Sequence, residues 1–152
     1  MTSVTYESIF NLFLGSITDY KLASLDESDA MALMTEYLHK SLAESYVSRI
    51  FKTLSMDDDN HTMTYELAYA PNGDEAIFVV NALSKWMVYE WLHNQVRSVV
   101  NTAQFFGGSE QKYYSQSNHL SELRALQDDA YHEARFFIQD RGWISNSYLG
   151  GS

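Results

Sequence analysis

The chain contains no cysteine, which removes several kinds of chemistry at once. Disulfide frameworks, zinc sites built on thiolates and cysteine nucleophiles all require the thiol group. Proline is almost as scarce, because Pro71 is the only one. It stands in the segment Pro71-Asn72-Gly73-Asp74, whose composition predicts a turn that ends in a helix cap. The lone proline therefore marks the entry to the most hydrophobic helix of the chain.

Basic side chains are few, with 10 Lys and Arg against 20 Asp and Glu, so the formal net charge is −10. Proteins that bind nucleic acids through the phosphate backbone need clustered Lys and Arg to neutralise phosphates and release counterions. This class of function is therefore excluded for the chain as a whole. The length of 152 residues fits one domain, since a chain of this size buries most of its apolar surface in a single core.

Long uninterrupted apolar runs are also missing. The most apolar stretch, residues 76–92, is broken by Asn81, Ser84, Lys85 and Glu90, whereas a membrane-spanning helix needs about 20 mostly apolar residues. Residues 1–10 lack the basic start and apolar run of a secretory signal. We expect a chain made in the cytoplasm that has no membrane partner.

Apolar and aromatic residues are plentiful instead. Hydrophobic residues make up 45% of the chain, which predicts a packed core rather than intrinsic disorder. Eight Phe, 11 Tyr and 3 Trp make an unusual aromatic content, and Tyr and Trp are enriched at protein interfaces. The composition therefore favours a protein that assembles with a partner.

The spacing of apolar residues predicts a mainly α fold, a small bundle of about four helices. A short helix follows Thr5 as its cap, and a second follows Asp26 as its cap and covers about 27–46. A third starts at Glu75 and covers about 75–93 with helical spacing up to Gln104, and the last covers about 117–140. The last helix carries a narrow apolar seam. Its members are Leu120, Leu123, Leu126, Ala130, Ala134 and Phe137.

One region changes period. Residues 63–70 alternate large apolar and smaller or polar side chains, which predicts a strand. The run Asp57-Asp58-Asp59-Asn60 predicts a turn before it, so we expect a β-hairpin arm over 50–70. Residues 1–142 are then one helical domain, and 143–152 form an extended C-terminal tail.

Two Glu-x-x-His motifs are the strongest metal-binding pattern. Glu36 with His39, and Glu90 with His93, each lie three residues apart on a predicted helix, as ligands do in di-iron carboxylate bundles. A small helical metal-binding protein is therefore the alternative function. The first predicted helix is too short for such a bundle, so we favour solvated residues on helix flanks.

Other chemical motifs are weak. Asp57, Asp59 and His61 resemble the start of a calcium loop, but Thr62 and Ala68 stand where that loop needs glycine and a bidentate Glu. The sequence contains no nucleophile elbow, phosphate loop or dinucleotide fingerprint. We therefore expect no cofactor, no catalytic residue and no enzymatic activity.

Aromatic residues in segments outside the predicted helices are harder to explain in a monomer. Exposed aromatics lower solubility unless a partner covers them. We predict a partner interface at these residues, with another protein or with a neighbouring subunit. Its residues are Tyr113 and Tyr114 in a predicted loop, and Trp143, Ile144, Tyr148 and Leu149 in the predicted tail.

Three segments resemble a known family in their order and character. Residues 83–92 (LSKWMVYEWL), 101–107 (NTAQFFG) and 112–124 (KYYSQSNHLSELR) are similar to small neck proteins of tailed bacteriophages, the head-to-tail connector or adaptor proteins. The resemblance covers about residues 75–130 and includes no chemically diagnostic motif.

The resemblance implies a mostly helical structural subunit in the neck of a virion. It implies a ring of this chain, typically of twelve copies, between the portal protein and a head-closure or tail-terminator protein. The portal or a neighbouring subunit would then be the partner at the predicted interface. Double-stranded DNA would pass through the ring without specific binding, because a negatively charged channel repels phosphates. The ring would extend the DNA channel and link head to tail.

Overall fold

The computed structural model describes the backbone of residues 1–17, 20–70, 76–106 and 110–144, and the side chains of 1–17, 22–70, 76–98 and 118–140. These residues form six helices and a three-stranded antiparallel sheet. The elements are β1 (Thr2–Thr5), α1 (Tyr6–Gly15), α2 (Tyr20–Ser24), α3 (Glu27–Ala43), α4 (Ser45–Ser48), β2 (Phe51–Asp57), β3 (Thr62–Leu67), α5 (Ala76–Phe106) and α6 (Glu110–Ile144).

The prediction of a mainly α fold is confirmed, but the structure is not specifically a four-helix bundle. Two of the helices, α2 and α4, are only five and four residues long. The sheet also contributes to the core, since Met63 and Tyr65 of β3 are fully or almost fully buried. Helices and sheet therefore share one core, and the predicted hairpin is part of it rather than an arm.

The sheet has the order β1-β3-β2, so β3 is its central strand. The strand predicted at 63–70 and the turn at Asp57–Asn60 are confirmed, with a second strand at 51–57. Strand β1 was not predicted. It has only four residues, too few for an alternating pattern to stand out, and it is held by pairing Val4 opposite Met63.

Side-chain caps fix the starts of α1 and α3. The Thr5 hydroxyl accepts from the backbone N–H of Ser8, and the Asp26 carboxylate accepts from that of Asp29 at 2.8 Å. Both caps are as predicted. The buried sides of these helices, which include Phe13 and Leu38, pack on α5.

The two longest helices are an antiparallel pair. At about 1.5 Å per residue, the 31 residues of α5 and the 35 of α6 extend about 46 and 52 Å. Phe78 near the start of α5 stacks on Phe137 near the end of α6, with ring centres 5.5 Å apart. Farther along, a separate small core cluster contains Leu92, Val96 and Leu123.

Helix α6 is longer than predicted at both ends. It begins at Glu110 rather than near 117, so Tyr113 and Tyr114 lie on a helix and not in a loop. It also continues to Ile144, so Trp143 and Ile144 belong to the helix and not to an extended tail. The predicted helix ends before Gly142, but one glycine inside a helix costs only about 1 kcal/mol of stability.

The turns predicted at Pro71–Asp74 and Gly107–Ser109 lie outside the described residues. The same is true of Tyr148 and Leu149 in the predicted tail. Within the part of the chain that the structure describes, no helix is long and apolar enough to cross a membrane.

Candidate functional site

The first Glu-x-x-His motif uses its side chains in separate contacts. Glu36 pairs with Lys40 one turn later on α3, at 3.0 Å. His39 Nε2 lies 2.9 and 3.0 Å from the two carboxylate oxygens of Asp58, in the turn between β2 and β3. The contact of His39 therefore joins α3 to the hairpin turn.

The second motif is divided between interior and surface. Glu90 is buried, with 9% of its surface exposed, whereas His93 is exposed and its Nδ1 lies 2.9 Å from Nε2 of Gln127 on α6. Among the described side chains, no group of three or more His, Asp or Glu is arranged to hold a metal ion. The four residues of the two motifs are thus not brought together as a site.

Asp58 is the centre of a small polar network. The hydroxyl of Tyr6, whose side chain is fully buried, donates to Asp58 Oδ1 at 2.5 Å. The hydrogen bonds from Tyr6 and His39 lower the pKa of Asp58, while burial and the Asp58 carboxylate raise that of Tyr6. The network fixes the hairpin turn against α1 and α3.

A surface cavity of about 780 Å³ lies beside this network. Glu27 and Met31 of α3 line it on one side, and Asp58 and His61 of the hairpin turn line it on the other. His61 has a φ of 53°, in the left-handed region that turn residues adopt more readily than residues in strands. The cavity therefore brings the acidic start of α3 to the same edge of the molecule as the acidic hairpin turn.

Glu90 forms a second unusual contact. Its carboxyl group shares a hydrogen bond with Glu44, at the junction of α3 and α4. Burial first, and then Glu44, raise the pKa of Glu90 to about 7, while Lys40 opposes the shift. Two carboxyl groups in contact share a proton because both cannot remain charged at low cost. We therefore expect the contact between α3 and α5 to depend on pH below about 7.

Four of the aromatic residues form one cluster around a buried tryptophan. Trp86 is fully buried, stacks with Tyr46 at an interplanar angle of 12°, and meets Tyr89 and Tyr131 edge-on or nearly so through rings 5.7 Å away. Trp86 therefore belongs to the core. Aromatic abundance alone therefore does not identify an interface in this chain.

The outer side of α6 is the clearest unpartnered apolar surface. Phe136 is 65% exposed and Leu126 is 53% exposed, although Leu126 was predicted to belong to the buried seam. Two residues turn a helix by about 200°, so Phe136 points away from Ala134, which is fully buried against the core. Leu126 lies about 80° around the helix from Phe136, on the flank next to it. These two exposed residues define the α6 outer surface.

The predicted interface residues are not brought into one site. Tyr113, Tyr114, Trp143 and Ile144 are on the backbone of α6, and their side chains are outside the described part of the structure. Their role as partner contacts remains a prediction. The α6 outer surface was not predicted as an interface, although the position of Phe136 outside the apolar seam was a signal in the sequence.

Comparison with protein-family models, curated proteins and solved structures gives no match. The function is therefore argued from the residues and their geometry.

Proposed function

We propose that this chain is a structural subunit that assembles with copies of itself in the neck of a tailed-phage virion, at the head-to-tail adaptor position. The observation that carries the proposal is the α6 outer surface. A 35-residue helix that packs mainly on α5 leaves Phe136 and Leu126 largely exposed. Exposed large apolar side chains on a rigid helix are typical of a surface that another protein covers.

The position of the surface supports assembly rather than catalysis. Two contacts attach α6 to α5: the Phe78–Phe137 stack and an ion pair of 2.8 Å between Lys85 and Glu133. A rigid helix presents its side chains at low entropic cost, which favours repeated contacts between identical subunits. The resemblance of residues 83–92, 101–107 and 112–124 to neck proteins gives the class of assembly.

The charge supports the proposed channel. With a net charge of −10 per chain, a ring of many copies would carry a large negative charge. Such a ring repels DNA phosphates, so the genome would slide through it rather than bind. In the proposed assembly a ring of twelve copies contacts the portal protein on one side and a head-closure or tail-terminator protein on the other.

The proposal is tested by negative-stain electron microscopy of the purified chain, alone and with the portal protein of the same phage. We expect rings, or an added layer on the portal. The double variant L126D/F136D should form neither, because two charges on the α6 outer surface oppose its burial in a contact. Circular dichroism should show an unchanged fold.

The matched control is N11D/S55D, which places two charges at exposed polar positions of α1 and β2. It should assemble like the natural chain. A chain that stays monomeric with and without the portal would contradict the proposal. Assembly of L126D/F136D at the natural level would show that the α6 outer surface is not the contact.

A further inference from the structure

Two arginines meet on one aromatic ring. The guanidinium carbon of Arg135 on α6 lies 4.6 Å from the ring centre of Tyr46, and that of Arg49 lies 5.6 Å from the same centre. The two cationic groups are therefore within about 10 Å of each other. Tyr46 is itself held by stacking on the buried Trp86. The arginine cluster, defined as Arg49, Tyr46 and Arg135, is thus fixed to the core.

The arginine cluster has no acidic partner of its own. Lys40, Lys52 and Lys85 each pair with a glutamate within 3.3 Å. Neither Arg49 nor Arg135 forms an ion pair with a carboxylate in the part of the chain that the structure describes. The Nε–H of Arg135 is buried and has no hydrogen-bond partner there. Guanidinium groups present a planar set of donors that matches a carboxylate.

The complementary surface is at the other end of the hairpin. Asp57, Asp58 and Asp59 form its turn, and the cavity beside Asp58 is also lined by Glu27 of α3. The Asp58 carboxylate is occupied by Tyr6 and His39, and that of Asp57 by Asn60. Glu27 and Asp59 are exposed, and neither of them forms an ion pair among the described side chains. These two define the acidic edge.

The two surfaces are too far apart to meet within one chain. Arg49 lies just before β2 and Asp58 just after it, and seven residues of strand extend about 20 Å. The same charges can meet between copies. A contact between two different surfaces of identical chains repeats head to tail, and it forms a ring when the rotation closes.

We infer that the arginine cluster of one copy binds the acidic edge of the next copy. This inference rests on the proposed function, because it names the charged part of the contact between copies. Arg49 and Arg135 bind the carboxylates of Glu27 and Asp59 in the neighbour.

The test is sedimentation velocity of the full chain in about 50 and 500 mM NaCl, with two charge-reversed variants. R49E/R135E reverses the arginine cluster, and E27K/D59K reverses the acidic edge by a charge change of the same size. Each variant alone should associate at least about tenfold more weakly than the natural chain, because like charges then face each other. The natural chain should also weaken at the higher salt concentration.

Mixing the two variants is the decisive step. Each variant then offers the other a surface of opposite charge at both contacts, so the mixture should associate where neither variant does alone. R97E/R124E, which changes the charge by the same amount at two exposed arginines elsewhere, is the control and should associate normally. If R49E/R135E is poorly folded, R49Q/R135Q takes its place, because it removes both positive charges and keeps polar side chains. It should also associate more weakly than the natural chain.

The outcomes separate this inference from the proposed function. If the natural chain assembles and R49E/R135E assembles equally well, the inference is wrong and the proposed function stands. If both variants associate weakly and mixing them does not restore association, the pairing is also overturned. Calorimetric binding of inorganic phosphate at the arginines, with association unchanged in every variant, would assign the cluster to a small anion instead. A natural chain that never associates, alone or with the portal protein, would overturn both.

Discussion

The two long helices have similar lengths and opposite surroundings. α5 is covered by α1, α3, β1 and α6, and Val79, Leu83, Trp86 and Met87 are fully buried on it. α6 packs mainly on α5, and it leaves Phe136 and Leu126 largely exposed. Similar apolar side chains therefore stabilise the fold on one helix and remain available for a partner on the other. The role of each long helix in this fold therefore depends on what covers each of its sides.

Truncation of one aromatic side chain on each helix should give the largest difference in the free energy of unfolding between the two helices. W86A should lower the free energy of unfolding by about 3–5 kcal/mol, because it opens a cavity among Tyr46, Tyr89 and Tyr131. F136A should change it by no more than about 0.5 kcal/mol, because its ring is mostly exposed in the single chain. Urea unfolding of dilute protein measures both, and equal losses would contradict the comparison.

A smaller effect concerns the buried carboxyl group of α5. Contact with Glu44 and burial raise the pKa of Glu90 to about 7 in the folded chain, above its ordinary value of 4.5. Between these two values the folded state holds more protons than the unfolded state, so stability falls as the pH rises and is constant above about 7. The loss should be about 1–3 kcal/mol.

E90Q removes this dependence, because the amide is neutral at every pH and still donates a hydrogen bond to Glu44. At pH 8 we expect E90Q to be more stable than the natural chain by about 1–3 kcal/mol, and the two to converge near pH 5. The control on α6 is E133Q, whose exposed ion pair with Lys85 is worth at most about 0.5 kcal/mol. Parallel pH profiles for E90Q and the natural chain would refute the shared proton.

Local patterns predicted the elements whose causes are local. The cap at Asp26 and the apolar spacing from Met31 to Leu38 place α3 correctly, and alternation from Met63 places β3. The hairpin turn follows from three consecutive aspartates and Asn60, whose side chain and backbone N–H bind Asp57. Each of these signals lies within a few residues of the structure that it specifies.

Contacts between distant residues were not predictable in this way. β1 depends on pairing with β3 some 60 residues later, and the Tyr6–Asp58 hydrogen bond joins residues 52 positions apart. Glu44 and Glu90 meet only because α3 packs on α5. The i, i+3 spacing of Glu90 and His93 suggested a shared metal, but it could not show that Glu90 is buried while His93 is exposed.

The most direct test of the α6 outer surface uses the absence of native cysteine. F136C introduces a single thiol on that surface, and S55C introduces one at an exposed position of β2 as a control. The rate of thiol modification is measured in dilute monomer and in the assembled state. We predict at least about tenfold slower modification of F136C on assembly with S55C unchanged, whereas equal rates for F136C in both states would contradict the account.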